Sequence, residues 1–344
     1  MRIISIVGAR PQFIKVAPIC WSAKGKISHE IVHTGQHYDE LMSDSIFKDL
    51  EIPKPVVNFE VGSSSHAEQT AKIMVQLESF LNSYNPDHVI LYGDTNSTIA
   101  GALVTSKMNI PISHVEAGLR SYNRKMPEEL NRIVTDHLSD ILFAPTKNAM
   151  VNLETEGLGT KAILSGDIMQ ETINHALAKK ETQARGEKYI YCTIHRAENT
   201  DEKIRLNYIF NQLKRSPILV KLYAHPRLVK KIMDFDIKID QNKIKICEPL
   251  PFVENINTVS GAAGVITDSG GLQKEAYLLG IPCLTIRNET EWEETLTDKW
   301  NQLDPQAIQI SQEWWTESRV KQTASFFGDG KTSHKVISSI LESA

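Results

Sequence analysis

Three things are scarce in this chain, and each scarcity removes a class of protein. No run of 18 or more apolar residues occurs. That is the length a helix needs to cross a bilayer, so no membrane partner is expected. The opening Met1-Arg2-Ile3-Ile4-Ser5-Ile6-Val7-Gly8 is too short for the apolar core of a secretory signal. It runs straight into a loop and helix, so it reads as a first strand, and a cytoplasmic location is expected. Basic charge is not in excess: a net charge of -4 offers no cationic surface to nucleic acid. Cysteine is rare. Cys20, Cys192, Cys247 and Cys283 are far apart in apolar segments. They lack metal-type spacing and read as reduced core residues. No metal and no cofactor is expected, and there is no low-complexity segment or short-period repeat.

What is present is a strand–helix alternation running twice along 344 residues. That length predicts two domains, and 41% hydrophobic with 23% charged residues is ordinary for a soluble globular protein. Apolar runs at 3–7, 30–33, 89–92, 111–115, 141–143 and 162–164 form a first series. A charged, polar stretch from Glu171 to Lys188 interrupts the rhythm. It restarts with runs at 189–194, 218–223, 244–247, 264–267 and 281–286. Two such series predict two doubly wound α/β domains. They are placed at 1–168 and 169–331, with a C-terminal helix at 332–344 returning to the first. Their carboxyl edges are expected to face each other across a cleft.

Polar residues gather where these runs end, the edge at which open parallel sheets bind ligands. Gly264-Val265-Ile266-Thr267-Asp268-Ser269-Gly270-Gly271 reads as strand, tight turn and helix start. The glycines allow close backbone approach, and the unpaired N–H groups of the helix attract an anion such as phosphate. Ser269 also suits an ordinary N-cap. In the other half, Arg10 and Lys15 follow the first strand, with Pro11 well placed at a helix start. Asp94 ends the run at 89–92 and Glu116 the run at 111–115. Glu128 and Glu129 suit the positive end of the next helix dipole, and Arg132, four residues beyond Glu128, is spaced to pair with it. His195 and His225 each follow a strand of the second series.

The motifs Gly8-Ala9-Arg10-Pro11, Gly93-Asp94-Thr95, His114-Val115-Glu116-Ala117-Gly118-Leu119-Arg120, Pro127-Glu128-Glu129-Leu130-Asn131-Arg132, His195-Arg196-Ala197-Glu198-Asn199 and Thr267-Asp268-Ser269-Gly270-Gly271 stand in that order. In this the chain resembles the non-hydrolysing UDP-N-acetylglucosamine 2-epimerases from its first residue to its final helix. The resemblance implies a GT-B fold of two Rossmann-like domains holding a UDP-sugar, a homodimer, and a role in bacterial polysaccharide precursor synthesis. It implies epimerisation at C2 by elimination of UDP to a 2-acetamidoglucal and re-addition. By motif, Asp94, Glu116 and Glu128 look like the acid–base carboxylates and His195 a further catalytic group. Arg10, Lys15 and Arg132 look like substrate ligands, Ser269, Gly270 and Gly271 the phosphate cradle, and Glu275 the ribose partner. The rival readings are a GT-B glycosyltransferase, a hydrolysing 2-epimerase and a nucleotide-sugar sensor. Three carboxylates in one domain argue against the glycosyltransferase and the sensor, while the hydrolysing enzyme shares the elimination step and differs in what adds to the glycal.

Two departures bear on substrate and regulation. Gln12 stands where many members carry Glu. The Arg10-Pro11-Gln12-Phe13 form also resembles the branch acting on UDP-2,3-diacetamido-2,3-dideoxy-glucuronate, whose C6 carboxylate wants a cation such as Arg120, Arg124 or Lys125. Several bacterial members bind a second UDP-N-acetylglucosamine as activator through residues matching Gln36, His37, Gln69, Arg196 and His225. Here Asp39 and Glu68 replace Gln and Arg at that pocket, and a carboxylate there repels a diphosphate. The initial rate should therefore follow UDP-N-acetylglucosamine hyperbolically; a sigmoidal curve would contradict this.

Overall fold

The computed structural model describes residues 1–36, 40–179, 187–319 and 326–343. Contacts divide the chain into two units, Met1–His175 with Ala324–Ala344, and Ala176–Thr323. In unit 1 the order is β1 (Arg2–Val7), α1 (Arg10–Ala23), β2 (Ser28–His33), α2 (Glu40–Asp49), β3 (Val57–Asn58), α3 (His66–Tyr84) and β4 (His88–Tyr92). It continues through α4 (Asn96–Lys107), β5 (Ile112–Val115), α5 (Pro127–Leu138), β6 (Ile141–Ala144), α6 (Lys147–Thr155), β7 (Ala162–Leu164) and α7 (Met169–Ala178). Unit 2 holds β8 (Tyr189–Thr193), α8 (Ala197–Thr200), α9 (Lys203–Leu213), β9 (Leu219–Tyr223), α10 (Pro226–Asp234) and β10 (Ile244–Cys247). After these come α11 (Phe252–Ser260), β11 (Gly264–Thr267), α12 (Gly270–Leu279), β12 (Cys283–Thr285) and β13 (Asn301–Leu303). The last helix, α13 (Thr332–Glu342), returns to unit 1.

Every strand pair in both sheets is parallel. The first sheet runs β3-β2-β1-β4-β5-β6-β7 and the second β10-β9-β8-β11-β12-β13. Each order reverses once, between β1 and β4 and between β8 and β11. At such a reversal the loops leaving neighbouring strands diverge and leave a crevice at the carboxyl ends. Parallel sheets of this kind are covered on both faces. Ile3, Ile4, Ile6 and Val7 are accordingly all fully buried, each side chain contributing roughly 1.5–3 kcal/mol. Helix α4 lies close on the sheet because Gly101 has no side chain. A Cβ there would come within 2.6 Å of Leu91.

The edge strands β3 and β13 have no sequence signature. Two and three residues long, they lack an apolar run and form only because a neighbour offers open hydrogen-bonding groups. Three of the four cysteines are buried, and burial pushes the Cys20 and Cys283 thiols up to about 12. Cys247 is only partly covered. Among the described residues no helix is long and apolar enough to cross a membrane, and no group of His, Cys, Asp and Glu has metal-binding geometry.

Beneath the carboxyl edge of the first sheet lies a buried ionic network. His114 on β5 sets Nδ1 against Asp136 at 2.6 Å and Nε2 against the Gly93 carbonyl at 2.7 Å. Asp136 also accepts the Gly118 N–H at 3.1 Å and pairs with Arg120 at 2.8 Å. Arg120 in turn holds Glu156 through two bonds of 2.7 Å. Burial alone would raise the Asp136 carboxyl, but the His114 and Arg120 contacts hold it below the usual range. A depressed folded pKa gives stability that is complete above the unfolded value of about 4 and is lost as pH falls towards the folded one. Replacing Asp136 with Ala leaves Arg120 short of a buried partner. The variant should lose about 3–5 kcal/mol, read as a lower urea midpoint at unchanged slope.

Candidate active site

In unit 1 the reversal is flanked by the loops after β1 and β4. Arg10 is the first residue of α1 and partly exposed. Two residues on, Gln12 is buried and joins the two loops. Its carbonyl oxygen accepts the Gly8 and Ala9 N–H groups at 2.8 and 3.1 Å, and its amide donates to the Tyr92 carbonyl at 3.0 Å. A glutamate could not donate to that carbonyl when ionised, which explains the amide here. Asp94 lies in the loop after β4. Its backbone carbonyl accepts from Asn131 at 2.9 Å, and its carboxylate is held by the Arg132 Nε and terminal nitrogen at 3.1 and 2.5 Å.

Glu116 directly follows β5, with φ +73°. A left-handed glutamate costs of order 1–3 kcal/mol and is kept where the surroundings hold it. Here the hold includes Lys15, whose Nζ lies 2.8 Å from its carboxylate, both side chains being 9% exposed. Lys15 is therefore engaged with a proposed acid–base group rather than standing apart from it.

The expected pairing of Arg132 with Glu128 does not occur. Arg132 reaches Glu129 instead, at 3.1 Å, together with Asp94. Glu129 is buried and accepts the Ser121 and Tyr122 N–H groups at 2.9 and 2.8 Å. The loop before α5 thus draws the second glutamate inward and leaves Glu128 exposed in the first turn. Arg120, one of three candidates for a C6 carboxylate, is buried and committed to Asp136 and Glu156. Arg124 and Lys125 are exposed.

In unit 2 the reversal is flanked by the loops after β8 and β11. His195 follows β8 with its ring about half exposed, and its Nδ1 lies 3.0 Å from the buried Asp268. Ser269 caps α12, its hydroxyl accepting the Leu272 N–H at 3.3 Å. A Cβ at Gly270 would lie 2.1 Å from Glu291 Oε1, so any larger residue would push that carboxylate aside. Glu291 pairs with the buried Arg287 at 3.0 Å. A carboxylate and a guanidinium therefore sit against the first turn of α12, and neither stood out in the sequence because both lie in the irregular segment after β12. Glu275 is buried on the same helix.

The residues matched to a second nucleotide-sugar pocket are divided between the units. Gln36 and Gln69 are buried. Gln36 accepts the Ser97 N–H and hydroxyl at 2.9 and 2.6 Å, while Gln69 donates to Gly62 at 2.7 Å and accepts from Asn96 at 2.8 Å. Both amides support the turn into α4. Arg196 donates from Nε to the Asp268 carbonyl at 2.9 Å, and His225 caps α10. His37 and Asp39 lie outside the described residues.

Two parallel sheets, each reversed once and each presenting charged loops at the reversal, define a GT-B-like two-domain protein that handles a nucleotide sugar. A family model described as UDP-N-acetylglucosamine 2-epimerase matches residues 21–341. A UDP-N-acetylglucosamine 2-epimerase homolog of Methanococcus maripaludis is 44% identical, with 98% of each chain covered. A UDP-2,3-diacetamido-2,3-dideoxy-D-glucuronate 2-epimerase of Pseudomonas aeruginosa is 42% identical over 86% of each. The crystal structure of Methanocaldococcus jannaschii UDP-GlcNAc 2-epimerase with UDP-GlcNAc and UDP superposes with a TM-score of 0.91 at 37% identity, covering both chains fully. The chain belongs to the UDP-N-acetylglucosamine 2-epimerase family, and its activity class is that of an isomerase, a nucleotide-sugar 2-epimerase.

The Lys15–Glu116 pair can be tested without substrate. Lys15→Met should cost about 3–5 kcal/mol by leaving a poorly solvated carboxylate uncompensated. Adding Glu116→Gln should return part of it, a coupling of about 1–3 kcal/mol. Strictly additive losses in urea unfolding would mean that the two side chains do not pair.

Proposed function

We infer that this protein is a non-hydrolysing UDP-N-acetylglucosamine 2-epimerase that interconverts UDP-GlcNAc and UDP-ManNAc. The observation that carries this reading is the set of carboxylates at the carboxyl edge of the first sheet: Asp94 tethered by Arg132, Glu116 tethered by Lys15, and Glu128 exposed. C2–H lies beside no carbonyl and is a poor acid. The C1–O bond to UDP therefore weakens first, and positive character at C1 acidifies the C2 proton. A carboxylate removes that proton as UDP departs, giving the 2-acetamidoglucal. The proton returns to the opposite face of C2 from a second group, and UDP adds back at C1. Fixed groups on two faces suit such a reaction better than one, and each positioned base typically contributes about 10²–10⁴ in rate.

The charge on departing UDP is the other demand. A preorganised donor at developing charge contributes roughly 3–4 kcal/mol. Arg10 in unit 1, with His195 and the Ser269-Gly270-Gly271 turn in unit 2, are the donors assigned to it. Glu275 is assigned to the ribose. Retaining UDP until the glycal is reprotonated is what distinguishes this chemistry from hydrolysis. As a homodimer in the cytoplasm the enzyme would supply an activated N-acetylmannosamine for polysaccharide synthesis. A second reading has its own support, the relative from Pseudomonas aeruginosa together with the Arg10-Pro11-Gln12-Phe13 form: the substrate is then the diacetamido-uronate, its carboxylate met by Arg124 or Lys125.

NMR in deuterated water separates these readings. With UDP-GlcNAc the expected product is UDP-ManNAc carrying deuterium at C2. Free N-acetylmannosamine would instead mean hydrolysis, and turnover of the diacetamido-uronate alone would select the second reading. Asp94→Asn, Glu116→Gln and Glu128→Gln should each lower kcat by about 10² or more while changing KM far less. A variant with undiminished kcat removes its residue from the mechanism.

A further inference from the structure

Asp268 is fully buried, yet it receives more hydrogen bonds than any assigned role explains. The His195 backbone N–H bonds both its oxygens at 3.1 Å, and the Arg196 N–H adds a third contact at 3.0 Å. The Asn199 amide donates to it at 3.0 Å and also to the Ile286 carbonyl at 3.2 Å. Which end of that amide faces Asp268 is fixed from behind, because Arg205 donates to the Asn199 oxygen at 3.1 and 2.9 Å. The remaining contact is the His195 ring, with Nδ1 at 3.0 Å. Burial would raise the Asp268 carboxyl, but the bonds and charge of His195, with the Asn199 and Arg196 donors, hold it below its ordinary range.

An ionised carboxylate accepts and cannot donate. The ring nitrogen facing Asp268 must therefore carry a proton, and the tautomer of His195 is set by its neighbour. Nε2 is then the ring nitrogen left for a ligand. Asp268 also precedes Ser269, the cap of α12, and its own carbonyl accepts Arg196 Nε at 2.9 Å. One residue thus joins the loop that carries His195 to the turn that carries the assigned phosphate cradle.

We propose that Asp268 is the positioning residue for His195: it keeps the proton on Nδ1 and directs Nε2 at the departing diphosphate. This rests on the diphosphate role assigned above to His195, but the pairing itself does not. The aspartate stays ionised throughout and undergoes no chemistry of its own. A neutral ring with its proton on Nδ1 has a lone pair on Nε2, so the donor to the departing charge is the doubly protonated ring, Nδ1–H given to Asp268 and Nε2–H to the diphosphate, with the carboxylate balancing its charge. Without Asp268 that state loses its counter-charge and the departing diphosphate loses a donor.

Two measurements test it. In the unmodified protein labelled with ¹⁵N-histidine, long-range ¹H–¹⁵N spectra should show the His195 Nδ1 protonated at neutral pH. A pyridine-type Nδ1 overturns the proposal without recourse to any variant. The second is a kinetic cycle with Asp268→Asn and His195→Ala. Asp268→Asn should lower kcat by about tenfold or more, as wrong-tautomer substitutions do, with KM changed far less. In the His195→Ala background the same substitution should cost less than about twofold. Equal losses in both backgrounds mean that Asp268 does not act through His195, and overturn it. Absence of epimerase activity in the unmodified protein would defeat the functional reading instead, and the spectra would still decide the pairing.

Discussion

A parallel sheet that reverses its strand order once has a single place where its loops part, and most of what distinguishes this molecule is arranged around two such places. The strands are covered on both faces, so they have no surface to spare for chemistry. The side chains assigned to the reaction lie beyond strand ends, several of them beside the reversal. Arg10 and Asp94 follow the two strands of one reversal, and His195 and Asp268 the two strands of the other.

A loop at such a crevice is useful only if it holds still, and both units solve this in the same way. A buried aspartate gathers N–H donors from the backbone and from a histidine. In unit 1 Asp136 holds His114, the Gly118 N–H and Arg120, and His114 passes the restraint to the Gly93 carbonyl, next to Asp94. In unit 2 Asp268 holds His195, Arg196 and Asn199. The outcomes differ: His114 is sealed in the core and supports a loop, whereas His195 keeps half its ring at the surface. Removing one partner from such an arrangement costs far more than the arrangement contributes over an apolar core, so these clusters serve geometry more than stability.

Much of this was legible in the sequence, in a specific sense. An apolar run ending in Gly93-Asp94, or in Thr267-Asp268-Ser269-Gly270-Gly271, locates a strand's carboxyl end because strand and turn demand different residues. Such local signals place a charge on an edge but do not choose its partner. Lys15 and Glu116 are far apart in sequence and meet only because β1, β4 and β5 are adjacent. Arg132 was spaced for Glu128 on the helix, but two loop N–H groups at 121 and 122 draw Glu129 inward, a contact from outside the helix that its periodicity cannot report. Arg287 and Glu291 carry no local signal for the same reason, and neither do the short edge strands, whose existence depends on a neighbour's unpaired groups.

Helix α13 has a consequence for how the chain reaches this state. It packs on α1, with Ser22 and Ser333 hydroxyls 2.6 Å apart across 311 positions of sequence, and Glu171 binds the Ser333 backbone at 2.7 Å. Unit 2 lies wholly between these contacts in the chain. On the ribosome it emerges complete while unit 1 still lacks its last helix, so the part translated first is the part finished last. Closing so long a loop costs little more than closing one half its length, by about 0.6 kcal/mol, but the wait leaves the apolar flank of α1 uncovered through the synthesis of an entire second domain.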